Sequence, residues 1–450
     1  MHDQSHAAAR PLDRDVRPTE VLDRATAVLV AQAAGDALGV PYEFARPPGA
    51  AELPEMRGGG LGPYAPGEWS DDTQMSVCVA WVAARGGGLA SEEELDDVAA
   101  RFEAWRTGGA TDVGTQTAAV LGSASRRAGR PAERLRAAAA ELHATTGRTA
   151  GNGALMRTGV VGLVALDDRW ATARAARAVA ELTHPDPLAG DACVLWSEAI
   201  RVAVTEARLD VRAGLDLLPP ERRAAWSGWV DDAERPEPAT DLTGNGFTVT
   251  ALQAAWHAIT VQPPLPDGVA FPGQVHLPLG LAAAVRIGQD TDTVAAIAGA
   301  LLGARYGTAA VPATWATAVH GWPGMRARRL GALARVTAQG GPGVPGTPGQ
   351  QACPLCGTRE RLVERYPDHV CSWCAHGVTD RAGRPVRLFN ASMSGGFTAQ
   401  YEDGTTAADE VLAGRVWVDG VELHAQEARF GGTVVVLPAG TVADPPAVRP

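Results

Sequence analysis

Through the first three quarters of the chain, apolar residues recur at three- and four-residue intervals between short Gly- and Pro-rich connections, the pattern of helices packed on one another. The segment "VLDRATAVLVAQAAGDALG" (21–39) opens the series, with Ala and Gly along one side where a neighbouring helix can approach closely. In "SEEELDDVAARFEAWRT" (91–107) a capping box, Ser91 with Glu94, precedes apolar positions at helical spacing. The same spacing predicts helices near 115–125, 131–143, 154–165, 170–182, 188–207, 247–260, 279–287 and 292–305. Strand-like alternation is scarce before residue 335, so this region is expected to be all-α, an orthogonal multi-helix bundle.

The periodicity ends at "AQGGPGVPGTPGQQ" (338–351), whose Gly, Pro and Thr read as a linker. Beyond it "RLFNAS", "GFTAQYEDG", "RVWVDGVELHA" and "GTVVVLPAG" alternate β-branched and aromatic residues between Asp-Gly and Gly-Gly turn signals, so strands are expected there. The predicted organisation is a flexible N-terminus (1–19), an all-α domain (20–337), the linker (338–351), a zinc ribbon (352–378) and a small β-rich unit (379–450). A chain of 450 residues is expected to hold more than one unit, since single cores stop growing at about 250–300 residues.

Composition narrows the chemistry. A net charge of -11 without any basic run argues against a nucleic-acid partner, which needs clustered cations. All of the forty basic residues are arginines, so a P-loop lysine, a Schiff-base lysine and pyridoxal chemistry are excluded. The N-terminus lacks the apolar core of a signal peptide, and no run of about 18 apolar residues would span a bilayer. A cytoplasmic protein without a membrane partner is expected.

Two acidic turns carry the candidate chemistry. "WSDDTQMSVCVAWVAA" (69–84) puts Ser70, Asp71 and Asp72 where a helix begins, and "GQDTDTVAAIAGALLGARY" (288–306) does the same with Asp290, Asp292 and Thr293. Carboxylates at a helix start are favoured by unpaired amides and the dipole, yet capping needs only one acid per helix. The surplus points to metal ligation. Carboxylates and hydroxyls with no His or Cys nearby suit hard cations, Mg²⁺ or Mn²⁺, and not Zn²⁺. Neighbouring helical residues point about 100° apart, so Asp71 and Asp72 would address two ions, which can sit about 3.5–4 Å apart.

These turns belong to six ordered segments, "GDALGVPYEF" (35–44), "SDDTQMS" (70–76), "DVGTQT" (112–117), "GNGALMR" (151–157), "THPDPLAGDA" (183–192) and "GQDTDTVAAIAGALLGARYG" (288–307). Together they resemble the ADP-ribosylglycohydrolases, a family that includes dinitrogenase-reductase-activating glycohydrolases and ADP-ribosyl-arginine and ADP-ribosyl-serine hydrolases. The resemblance implies an all-α fold and a pair of Mg²⁺ or Mn²⁺ ions beside the scissile glycosidic bond. It implies Ser70, Asp71, Asp72, Asp290, Asp292 and Thr293 as metal ligands, and Glu43 and Asp112 as the acids near the reacting centre. Gly114, Asn152, Gly153 and His184 would contact the substrate, with the Gly-rich loop at 151–153 offering amides to a diphosphate. Asp36 and Asp191 read as structural, each expected to find a buried hydrogen-bond partner. The implied function is metal-dependent hydrolysis of the bond between ADP-ribose and a protein side chain or small acceptor. The competing classes are a binding module without turnover and a two-metal phosphoesterase.

In the tail, "CPLC" (353–356) and "CSWC" (371–374) form a pair of CxxC motifs with fourteen residues between them, just shorter than the commonest zinc-ribbon spacing but within reach of one tetrahedral site made by Cys353, Cys356, Cys371 and Cys374. His369 and His376 are the alternative ligands. From residue 351 onward nine arginines face twelve acids, which favours a protein partner over nucleic acid for this part.

Overall fold

The computed structural model describes residues 17–49, 52–262, 270–342, 349–355, 357–392, 395–418, 421–429 and 432–438. Cys356, most of the predicted N-terminal segment and residues 343–348 of the predicted linker lie outside the described residues. Helices α1 (Thr19–Gly39), α2 (Asp71–Ala83), α3 (Glu92–Gly108), α4 (Thr115–Ala124), α5 (Pro131–Thr146), α6 (Arg169–Glu181) and α7 (Pro187–Glu206) form the first half of a bundle. It continues with α8 (Pro220–Ala233), α9 (Thr248–Thr260), α10 (Gly273–Ile287), α11 (Thr291–Tyr306), the short α12 (Ala313–Ala318) and α13 (Ala327–Ala338), with a small hairpin of β1 (His320–Gly321) and β2 (Met325–Arg326) before the last. Among the described residues no helix is long and apolar enough to cross a membrane.

The centre of the bundle is the pair α1 and α11. Every residue from Ala25 to Gly39 is buried, as is every residue from Thr291 to Ala304. Helices apolar all round belong inside a core. Their backbones touch because glycine stands at the crossing: a Cβ on Gly35 would lie 2.1 Å from the Ala295 carbonyl oxygen, and one on Gly299 would lie 2.3 Å from that of Ala31. Further along, Gly303 meets Ala27 O and Gly39 meets Asp292 Cα in the same way, at 2.4 Å and 2.2 Å. Each glycine weakens its helix by about 1 kcal/mol relative to alanine. The gain is a contact that brings the C-terminal end of α1 against the first turn of α11.

The expected helix at 154–165 is absent. Two 3₁₀ turns, Asn152–Ala154 and Gly159–Leu163, stand there instead. The segment is buried on nearly all sides, so its apolar spacing carried no helical face, and a Cβ on Gly162 would lie 2.7 Å from Ser197 O on α7. Helix α10 begins earlier than its periodicity suggested and carries Pro278 inside it. Helix α8 lies in a stretch for which no helix was expected, and buries only Trp226, Val230 and Ala233.

The β-rich tail is as expected. Strands β3 (Gln350–Ala352) and β4 (Arg359–Arg361) pair antiparallel, followed by one turn of helix α14 (Ser372–Ala375). Strands β5 (Val386–Ser392) and β6 (Gly395–Tyr401) form a hairpin in the register Val386 to Tyr401. After α15 (Asp409–Leu412) comes an antiparallel sheet of β7 (Arg415–Val418), β8 (Val421–Glu427) and β9 (Thr433–Val436). Buried apolar side chains form two separate clusters, one from Leu22 to Ala338 and one from Cys353 to Val435.

Candidate functional site

Helix α2 begins at Asp71 with Ser70 as its N-cap residue, yet the Ser70 hydroxyl does not cap it. Capping is done from another helix. Asp36, wholly buried on α1, accepts the amides of Ser70 at 2.7 Å and Thr73 at 3.0 Å, and the Ser70 hydroxyl at 2.8 Å. With those donors taken by Asp36, Asp71 and Asp72 are released from capping. Asp72 is fully buried, with Oδ2 3.0 Å from the Ser70 hydroxyl and Oδ1 without a hydrogen-bond partner. An orphaned buried carboxylate oxygen is destabilising by about 1–3 kcal/mol or more, so the atom is one that a cation would satisfy.

The second turn is bent by Gly288 (φ 86) and Gln289 (φ 63) into the N-terminus of α11, where Asp290 is the N-cap residue. Asn245 fixes this turn. Its Nδ2 donates to Gly288 O at 3.0 Å and its Oδ1 accepts from the Asp290 amide at 3.2 Å. Asn152 Nδ2 donates to Asp290 Oδ2 at 2.8 Å and to Asn245 O at 2.9 Å. The two asparagines sit in matching Gly-Asn-Gly turns, 151–153 and 244–246, paired through Asn152 N to Gly246 O and Thr248 N to Ala150 O. Thr291 ties the turn to α1 by donating to Gly39 O at 2.8 Å, and Phe44 N donates to Gln289 O at 2.8 Å, which sets Glu43 beside the turn.

The two acidic turns therefore meet. Carboxylate oxygens of Asp36, Asp72 and Asp292 lie within 4.8 Å of one another, and so do those of Glu43, Asp290 and Asp292. Asp292 belongs to both groups. Burial raises every one of these carboxyls, and neighbouring acids add to it at Glu43, Asp72 and Asp292, whereas at Asp36 and Asp290 hydrogen-bond donors oppose it. Burial, then repulsion by Asp290 and Asp112, pushes Glu43 up to about 8. Burial, then Asp112 and Asp36, does the same to Asp71, also to about 8. Asp36 rises only to about 6, because the Ser70 and Thr73 donors oppose burial. Burial and neighbouring acids hold Asp72 and Asp292 well above the ordinary carboxylate range. Such a cluster is stable as anions only with positive charge between its members. The donor set of carboxylates and hydroxyls fits hard oxygen-seeking cations.

The structure brings Glu43, Ser70, Asp71, Asp72, Asp290 and Asp292 into one place, with Thr293 one residue along α11 and buried. Asp112 acts on Asp71 and Glu43 and accepts from the Val113 amide at 2.7 Å, while Gly114, not Asp112, is the N-cap residue of α4 and turns its own amide to Asp71. Asn152 is engaged within the protein by side chain and amide, so its place is that of a tie between loops. Gly153 stands where a Cβ would lie 3.1 Å from the His184 ring. His184 is only 1% exposed, donor or acceptor to Thr183 Oγ1 at 2.8 Å, and burial with nearby Arg157 lowers it well below the usual imidazole range. It lies beneath the Gly-rich loop and not on its open side. No long helix follows that loop, so the amides at 151–153 lack the dipole expected of a helix start.

Two residues of the site escaped sequence reasoning. Asp36 is a hydrogen-bonded structural acid, as expected, and is also a member of the carboxylate cluster. Asn245 was not singled out, although the repeated Gly-Asn-Gly was there to be read. Asp191 is structural as expected, pairing with Arg177 at 2.7 Å and with Arg222, and accepting from Trp226 Nε1 at 3.2 Å.

Residues 17–342 match the ADP-ribosylglycohydrolase family. The ADP-ribosylarginine hydrolase Tri1 of Serratia proteamaculans is 26% identical over 302 residues, 66% of this chain and 75% of that protein. The ADP-ribosyl-[dinitrogen reductase] glycohydrolase of Rhodospirillum rubrum is 27% identical over 306 residues, 66% of this chain and 90% of that one. A solved structure described as an ADP-ribosylglycohydrolase-related protein complex superposes with a TM-score of 0.53 at 27% identity, covering 72% of this chain and 99% of its own.

Proposed function

The chain belongs to the ADP-ribosylglycohydrolase family and is a glycohydrolase, and from that premise we propose that it releases ADP-ribose from a modified protein side chain with two Mg²⁺ or Mn²⁺ ions at the carboxylate cluster. One observation carries this reading: Asp36, Asp72 and Asp292 are buried together, and the charges acting on Asp72 and Asp292 are those of other acids. Ser70, Asp71 and Asp72 would hold the cations from α2, and Asp290, Asp292 and Thr293 from α11. When bound, the cations supply charge neutralisation and Lewis acidity.

The remaining work falls to the chain itself. Cleaving a glycosidic bond develops oxocarbenium character at the anomeric carbon, so a leaving group must gain a proton and a water must lose one. Glu43, beside Asp290, and Asp112, beside Asp71, are the residues in position to exchange those protons with a sugar held over the cluster. Gly114 is exposed, with no atom within 4 Å of where a Cβ would stand, so a ligand can lie against this backbone. Asn245 and Asn152 hold the Asp290 turn at its distance from α2, which keeps the acids in register.

Arginine is the acceptor we favour, supported by the activity named for the Serratia relative. The test is release of ADP-ribose, identified by mass, from ADP-ribosylarginine, ADP-ribosylserine, ADP-ribosylated nucleic-acid ends and O-acetyl-ADP-ribose, with Mg²⁺, Mn²⁺ or EDTA. Free ADP-ribose that disappears with EDTA is the expected result. Equal turnover in EDTA would sink the metal assignment, and release of AMP or phosphate would replace it with phosphoesterase chemistry.

A further inference from the structure

We propose that Cys353, Cys371 and Cys374 hold a structural zinc ion, and that this ion clamps the C-terminal unit onto helix α13. The three side chains are 3%, 0% and 2% exposed, and their Sγ atoms lie within 4.8 Å of one another. A tetrahedral zinc with Zn–S bonds of about 2.3 Å places its sulfurs about 3.8 Å apart, so the trio needs little movement to close on an ion. Backbone amides already point at the sulfurs: Cys371 N donates to Cys353 Sγ at 3.3 Å and Cys374 N to Cys371 Sγ at 3.4 Å. Amide donors of this kind stabilise a thiolate and fix its orientation. Neither His369 nor His376 joins the group. The Nδ1 atom of each faces a backbone carbonyl, Tyr366 O at 2.9 Å and Ser372 O at 2.6 Å.

The clamp is the second half of the inference. Two consecutive arginines on α13 reach into the two CxxC loops, one each: Arg328 donates to Trp373 O in "CSWC", and Arg329 donates to Leu355 O in "CPLC" at 2.9 Å. Arg328 also lies 5.7 Å from the centre of the Trp373 ring, and that ring rests on Gly331, where a Cβ would lie 3.1 Å from Cζ2. The grip works only if both loops keep a fixed separation. The Cys371 amide joins the loops through Cys353 Sγ, and the cysteines themselves form part of the small cluster that serves this unit as a core. A unit with so little apolar interior needs a staple.

The experiment uses the full chain, purified without added metal and dialysed against EDTA long enough to strip Mg²⁺. Elemental analysis is expected to find one zinc per chain, with a sulfur-dominated X-ray absorption shell near about 2.3 Å. Cys371→Ser and Cys374→Ser should lose the metal. Arg328→Ala with Arg329→Ala should keep one zinc per chain while amides of α13 and of residues 350–375 exchange about tenfold faster. That double variant leaves the cysteines in place, so it separates clamp from ligand even if the serine variants unfold the tail. Wild-type protein without zinc, a disulfide among these cysteines in unreduced protein, or unchanged exchange after zinc removal by a strong chelator would each overturn the proposal.

Discussion

The carboxylates of the bundle are drawn from Asp36 to Asp292 and set by the crossing of α1 and α11, whereas the cysteines of the tail come from Cys353 to Cys374 and sit on one hairpin and one helical turn. In the bundle Asp36 supports the scaffold by capping α2, but Asp72 and Asp292 are a burden on it: buried, repelled by neighbouring acids, and with an orphaned Asp72 oxygen. In the tail the cysteine side chains are themselves part of the interior. A centre supported by a large core can afford unfavourable charge, and a centre that is the core cannot. Changing Asp72 or Asp292 should therefore remove chemistry and spare the fold, whereas changing a cysteine should remove structure.

The largest effect expected from that contrast is on turnover. Asp72→Ala and Asp292→Ala should each lower kcat by about 10³-fold or more, roughly 4 kcal/mol of transition-state stabilisation, with circular dichroism unchanged. Loss of helical signal instead would show that the acids support the bundle after all. Next comes the crossing that positions them. Gly35→Val forces a side chain to within contact of the Ala295 carbonyl and should destabilise the bundle by roughly 3 kcal/mol or more, read by urea unfolding; a small change would mean that the glycines are not what lets α1 and α11 touch.

Metal linkage sharpens the same point with a change of sign. Mg²⁺ at about 100 times its dissociation constant should add about 2.7 kcal/mol to stability for each ion bound. Asp72→Asn should raise Tm in EDTA near neutral pH, because folding without metal must hold this carboxyl well above its ordinary range, a cost the amide does not carry, and should reduce the gain from Mg²⁺. A variant less stable than wild type in EDTA would contradict the burden assigned to that residue. The smallest effect expected is at Asn245. Removing its side chain strands Gly288 O and the Asp290 amide, so Asn245→Ala should be destabilising by about 1–3 kcal/mol and slow turnover by loosening Asp290, with less effect on KM than on kcat.

Much of the bundle was legible because helices with one apolar stripe announce themselves at a period of 3.6. Two segments without a clear stripe were misread, in opposite directions. Helix α8 buries only three side chains and was passed over, while the 154–165 segment is buried on nearly all sides and mimicked a helix. The acidic turns were legible as a repeated design, two acids and a hydroxyl at two helix starts. Asp36 gave no local sign of its second role, because the partners that make it part of the cluster, Asp72 and Asp292, lie on other helices. The resemblance put His184 among the substrate contacts, and the structure packs its buried ring against Gly151 and Gly153 of the Gly-rich loop.

The sequence by itself determined which side chains are available: carboxylates and hydroxyls at two helix starts of the bundle, cysteine pairs in the tail, no lysine anywhere, and glycines spaced along both central helices. These are properties of residue types and of spacings within one or two turns, where backbone geometry leaves few alternatives. Tertiary structure decided which acids face each other, that Asp36 takes over the capping of α2, and that two arginines of α13 reach the CxxC loops. Those outcomes depend on burial and on distances between remote segments, which arise only when α1 and α11 close on each other, and no short stretch of chain contains them.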